Sequence, residues 1–151
     1  MGKFYPLVLA FCCGVFPLCA QSIHFDRLDI NDGLSQNTVT SIIQDDKGFM
    51  WFGTKDGLCR YDGKSFKTFM HDPRLTAGLG NSLIKRLVQD HGHRIWVGTD
   101  SGLYIYDPET EHFSGVPLYA ADGKPVTKPI SILDCDREGR VWIVVENGDV
   151  F

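Results

Sequence analysis

The chain has no run of basic residues: its 15 Lys+Arg are scattered singly or in pairs among 19 Asp+Glu, for a formal net charge of −4. Phosphate backbones are held by clustered cations, so the sequence argues against a nucleic-acid partner. It has no Gly-X-Y period, which excludes collagen, and 43% apolar residues are too many for a disordered chain. No nucleophile elbow, Walker loop, dinucleotide fingerprint or zinc-protease helix occurs, and no cofactor is implied. Cysteine is sparse. Of five, Cys12, Cys13 and Cys19 fall within the first twenty residues.

Those twenty residues, MGKFYPLVLAFCCGVFPLCA, carry one cation at Lys3, an apolar stretch over 7–16, then Pro17 and small Ala20. This is the layout of a signal peptide, with cleavage expected after Ala20. The stretch is shorter than the roughly 20 residues of a bilayer crossing, which disfavours an uncleaved anchor. Bulky Leu18 before Cys19 disfavours lipoprotein processing. Export leaves an acidic chain with two thiols, Cys59 and Cys135, for an oxidising compartment. No membrane span is expected after cleavage.

The rest repeats itself. QDDKGFMWFGTKDGLCRYD from Gln44 aligns without a gap to QDHGHRIWVGTDSGLYIYD from Gln89, and a third copy, CDREGRVWIVVENGDVF, starts at Cys135. Trp51, Trp96 and Trp142 are thereby spaced 45 and 46 residues apart, the length of one propeller blade and too long for ankyrin or tetratricopeptide units. Within a unit, short apolar runs alternate with turn residues. The first unit gives four strands, over 39–44, 50–54, 58–62 and 66–69. Asp56-Gly57, Ser101-Gly102 and Asn147-Gly148 recur as pairs suited to turns that need positive φ. The expected fold is all-β: a partial β-propeller of about two and a half four-stranded antiparallel blades in an incomplete ring.

The division expected is a signal peptide over 1–20, an N-terminal strand and entry segment over 21–33, blade 1 over 34–80, blade 2 over 81–127 and a partial blade 3 over 128–151. Each tryptophan is expected to wedge between neighbouring blades. Gly53 and Gly98 allow close backbone approach, and Gly57, Gly102 and Gly148 make the turns. The third unit departs by placing Val144-Val145 where the others have Gly-Thr, and it ends at Phe151 within its third strand. The 23–29 stretch, IHFDRLD, reads as a strand able to complete a last blade. Cys59 and Cys135 should sit a blade apart, beyond the roughly 7 Å Cα separation of a disulfide, as free and mostly buried thiols.

The run DGLSQNTVTSIIQDDKGFMWFGTKDGLCRYDGKSF from Asp32, together with its second copy, resembles the two-component regulator propeller repeat. Its place behind a leader resembles the start of the periplasmic sensor of hybrid two-component histidine kinases of Bacteroidetes. The resemblance implies a ligand-sensing segment of a larger periplasmic receptor, commonly for carbohydrate. Its implied partners are further blades and a kinase part anchored in the inner membrane. This segment itself is not expected to be an enzyme. The other readings are a propeller-scaffold polysaccharide-active enzyme of lyase or sialidase type, which would need a unique acid/base cluster, and a stand-alone lectin-like module.

Antiparallel parity places the turns between second and third strands on the same rim as the long blade-to-blade connections, 71–81 and 117–129. Loops carry function more often than strands do. Arg74, Tyr119 and Lys124 on these connections are the candidate contacts to an oligosaccharide or acidic sugar. His91 and His93 have ligand-like i,i+2 spacing, but no third ligand lies nearby in sequence, so no metal is expected. His93 stands where Gly48 and Gly139 stand, so a changed turn type is expected there. Acidic turns such as Asp45-Asp46 recur with every blade. A turn needs that recurrence, whereas a catalytic pair occurs once. The Asp-x-x-Gly-x-x-Trp pattern partly resembles the structural aspartate box of sialidase propellers.

Overall fold

In the computed structural model residues 24–151 are described; the leader expected over 1–20 lies outside them. They form two four-stranded antiparallel meanders and a third begun by two strands. Blade 1 comprises β1 (Val39–Gln44), β2 (Met50–Thr54), β3 (Gly57–Tyr61) and β4 (Phe66–Phe69). Blade 2 comprises β5 (Ile84–Gln89), β6 (Ile95–Thr99), β7 (Gly102–Asp107) and β8 (His112–Val116). A short hairpin follows, β9 (Leu118–Tyr119) with β10 (Pro125–Val126), and then β11 (Ile130–Cys135) pairs with β12 (Val141–Val145). Past the Asn147-Gly148 turn, Ile143 and Phe151 exchange both backbone hydrogen bonds, at 3.0 and 2.8 Å, so a third strand begins. The described residues make no closed ring.

The first strands are innermost. β5 lies against β1 on one side and β11 on the other. Each carries a bulge at the same repeat position, Thr40, Lys85 and Ser131. The extra residue bends the strand and increases its twist. At the first bulge, Thr40 Oγ1 donates to Gly53 O in its own blade and to Ile84 O in the next.

The core is interblade rather than intrablade. One cluster, around Trp51, Leu79, Leu87 and Tyr106, fills the space between blades 1 and 2. The other, around Leu103, Ile130, Leu133 and Ile143, fills the space between blades 2 and 3. Trp51 meets Tyr106 edge-on at 5.0 Å and stacks on Phe69 at 6.0 Å. Burying a ring of this size stabilises by about 4 to 6 kcal/mol as an upper figure. The glycine two residues on is required: a Cβ at Gly53 would stand 2.7 Å from Ile84 Cγ2, and one at Gly98 2.8 Å from Ile130.

The expectation that all three tryptophans are wedged between blades needs correction. Trp51 is fully buried and Trp96 half-buried, whereas Trp142 is 45% exposed. Each ring lies on the face turned to the following blade, and blade 3 has no described follower. Residues 24–29 form no strand. The 117–129 connection is the β9–β10 hairpin rather than an irregular loop. The turn between second and third strands uses Lys55-Asp56, with Gly57 opening β3 at φ 110°. Cys59 and Cys135 are both free as expected, the first buried and the second half-buried.

Candidate functional site

Hydrogen bonds fix which loops share a rim. Lys55 N, Asp100 N and Glu146 N, each in the turn after a second strand, donate to Thr38 O, Leu83 O and Pro129 O, each just before a first strand. Gly57 N donates across blades to Ser82 O at 2.6 Å. The turns and the long connections therefore form one face, as parity requires.

On that face Arg74 is exposed, and its guanidinium binds Asp72 in its own loop through Nε at 2.9 Å and Nη2 at 2.7 Å. The Arg74 hydrogen bonds hold the Asp72 carboxyl below the usual aspartate range. Beside it lies a cavity of about 410 Å³ between the connection and the outer strands, floored by Phe69 and Phe113 and edged by Met70, Leu75 and Glu111. Tyr119 projects, exposed, from β9. Lys124 lies across the hairpin turn and pairs with Asp122 at 2.7 Å, which lowers the Asp122 pKa. Arg74 and the hairpin pair line no common cavity.

A further cavity of about 340 Å³ opens at the inner strands between Lys85, Arg86, Pro129, Ile130, Ser131 and Glu146. Lys85 pairs with Asp100 at 3.0 Å, and Arg86 donates to Lys85 O. These polar residues were missed in the sequence. The available signal was a break in the repeat: Lys85-Arg86 stands where blade 1 has Thr40-Ser41 and blade 3 has Ser131-Ile132.

The opposite rim holds the first hairpins and a device repeated three times. Asp45 Oδ1 accepts from Lys47 N and Phe49 N while Oδ2 accepts from Trp51 Nε1 at 2.8 Å. Asp90 does the same with Gly92 N, Arg94 N and Trp96, and Asp136 with Glu138 N, Arg140 N and Trp142. Each aspartate thus closes its turn and fixes its indole. At Asp90 burial opposes ionisation, but the bonds from Trp96 and from Arg94 outweigh it and keep the pKa low. The Trp142 bond, followed by those of Arg140, depresses Asp136 far below the ordinary value.

His93 corrects another expectation. It adopts φ 64°, the left-handed conformation of Gly48 and Gly139, and its N–H bonds Asp90 O as theirs bond Asp45 O and Asp136 O. The turn type is kept. His93 Nδ1 lies 2.8 Å from Asp46 Oδ2 in blade 1. Asp46 also takes the Gln89 amide, the largest cause of its lowered pKa. Among the described residues no three His, Cys, Asp or Glu side chains form a metal-binding group.

Another cross-blade contact lies nearer the outer strands. Arg60 sits 4.8 Å over the Phe49 ring and reaches Tyr106 Oη and Glu111 Oε1, both at 3.3 Å, while Lys67 pairs with the other Glu111 oxygen. Burial pushes the Tyr106 hydroxyl up to about 12 against the pull of Arg60.

Residues 33–56 match the two component regulator propeller family. A 42-residue stretch, 28% of this chain and 3% of the relative, is 50% identical to Histidine kinase P4 of Formosa agariphila. Among solved structures, the extracellular domain of a hybrid two component system of B. thetaiotaomicron superposes with a TM-score of 0.71 at 29% identity, over 79% of this chain and 17% of that one. A second such domain from the same organism gives 0.64 at 27% identity, over 76% of this chain and 16% of that one. The chain spans about a sixth of those extracellular domains. It carries the propeller repeat and the blade architecture of two-component sensor domains. No helix among the described residues is long and apolar enough to cross a membrane.

Proposed function

We infer that this chain is a ligand-sensing propeller segment of an exported two-component receptor, acting in the periplasm upstream of a histidine kinase. The observation that carries the reading is the superposition of more than three quarters of this chain on the extracellular domains of hybrid two component systems. Those relatives are extracellular domains of hybrid two component systems, and within this chain the blades repeat one geometry, with the Asp-Trp bond and the close approach at Gly53 and Gly98 in the same places.

Recognition belongs on the rim that gathers the connections, and the ligand class is an oligosaccharide. Arg74 presents a planar donor group already held by Asp72. Tyr119 offers an exposed ring on the β9–β10 hairpin, and Lys124 a cation across its turn. Ring faces stack on apolar sugar faces, while guanidinium, ammonium and carboxylate groups satisfy hydroxyls. A ligand held there signals only if it binds one arrangement of the receptor better than the other.

Calorimetry against a panel of neutral and uronic-acid oligosaccharides tests this. At least one is expected to bind, and Tyr119→Ala or Arg74→Ala should weaken it by about tenfold, the worth of one lost polar or stacking contact. Absence of binding across the panel, or binding untouched by all three of Arg74→Ala, Tyr119→Ala and Lys124→Ala, would remove the assignment.

A further inference from the structure

At the joint between blades 1 and 2, two hydroxyls of the first strand clasp the next blade. Thr40 Oγ1 bonds Gly53 O and Ile84 O, and Ser41 Oγ accepts from Leu87 N at 3.1 Å. At the joint between blades 2 and 3 the same two positions hold Lys85 and Arg86, the latter opposite Gly98 as Ser41 is opposite Gly53. Neither clasp is made there. Lys85 turns to Asp100 at 3.0 Å, and a guanidinium has only N–H donors, so Arg86 cannot accept from Leu133 N, the counterpart of Leu87 N.

The exchange leaves the cavity of about 340 Å³ lined by Lys85, Arg86, Pro129, Ile130, Ser131 and Glu146. It lies inside a joint between two described blades. Arg86 shares its face of β5 with Val88, which packs in the second core, so its side chain is on the side of blade 3. Glu146 enters from the turn after β12, on the rim that gathers the connections. Among the described residues Arg86 bonds only Lys85 O, at 2.8 Å, and neither it nor Glu146 has an ion-pair partner. An unpaired guanidinium and an unpaired carboxylate thus line one cavity without touching each other.

We propose that this joint binds a sugar acid, its carboxylate on the Arg86 guanidinium and its ring hydroxyls donating to Glu146 and to Ile130 O, the acceptor whose counterpart Ile84 O is served by Thr40. A guanidinium fork matches the two oxygens of a carboxylate, which is the strongest contact such a cavity offers. Ser131 adds a hydroxyl beside it. The partners that the first joint finds in its own side chains, the second finds in the ligand, and a bound sugar acid therefore ties blade 2 to blade 3. The sugar class rests on the oligosaccharide reading above; the demand for a carboxylate comes from the joint alone.

Titration of the isotope-labelled chain with glucuronate, glucose and acetate, followed by amide NMR, tests it. Glucuronate is expected to shift the amides of Arg86, Ser131 and Glu146, and to bind about tenfold or more tightly than glucose or acetate, each of which supplies only part of the contacts. Arg86→Ser puts the residue type of the first joint into the second, so this variant should keep the wild-type circular dichroism while its glucuronate affinity falls by about tenfold or more; Arg86→Gln serves if it does not fold. Arg74→Ala, on the outer connection, should leave the titration unmoved. A wild type that does not respond to glucuronate, glucose or acetate bound as tightly, an Arg86 variant that binds as the wild type does, or a loss with Arg74→Ala each overturns the proposal. Oligosaccharide binding governed by Arg74 and Tyr119 would stand in the first three cases, so the two readings fail separately.

Discussion

At the scale of single residues, the aspartate and the tryptophan six positions on act as a pair. The carboxylate saturates two turn amides with one oxygen and the indole N–H with the other, in three different solvent settings. Removing the indole donor from a buried carboxylate leaves an acceptor without water to replace it, at a cost of about 1 to 3 kcal/mol besides lost packing. Trp51→Phe is therefore expected to destabilise the chain by more than 2 kcal/mol, by an estimate on the order of these terms. Trp142→Phe, where water reaches the site, should cost under about 1 kcal/mol. Urea titration of the two variants side by side checks the contrast. The pair was half legible in the sequence. The recurrent Asp and the recurrent Trp were both visible and both assigned to structure, but their bond was not, because a side chain's reach across a hairpin depends on the register. His93 shows the opposite limit. A histidine in a glycine's place suggested a new turn, yet the turn survived, with the ring paired to Asp46 in the neighbouring blade.

At the scale of elements, the first hairpins owe their closure to ionised aspartates. The folded pKa values of Asp90 and Asp136 lie below the unfolded value of about 3.9. Their contribution is thus complete above that value and is lost as pH falls through the depressed folded one. Asp90→Asn is expected to lower stability at neutral pH and to flatten the acid limb of a thermal melting series below about pH 4. An unchanged acid limb would place the sensitivity elsewhere. Strand positions and hairpin parity were readable from alternation and turn residues, and the first blade's strands fall within a residue of expectation. The β9–β10 hairpin was not: two-residue strands are too short to show a period, and only Asp122-Gly123 marks the turn.

At the scale of the whole molecule, stability is divided among interblade spaces. Blade 2 is covered on both faces, while blades 1 and 3 are each covered on one. The first space also holds polar clasps, among them those at Thr40, at Gly57–Ser82, at Asp46–His93 and at Arg60–Glu111. When a repeat array opens locally, the least covered unit opens first. Amide hydrogen exchange is expected to be slowest in β5 and β6 and fastest in β11 and β12, and equal protection of all three blades would refute this ordering. That blades exist was plain from a 45-residue period; how unevenly they are held was not, because covering depends on neighbours rather than on the unit's own sequence. The candidate contacts Arg74, Tyr119 and Lys124 were named by loop position alone. Parity placed them on one face but carried no information on their spacing.

One consequence follows from the graded covering of the indoles. Trp51 is sealed from solvent, Trp96 is partly so and Trp142 is wet, so the three emit at different wavelengths and answer differently to a water-soluble quencher. The molecule is in this way its own optical ruler: whatever seats on blade 3 shifts the reddest component alone, and no dye has to be attached to see it.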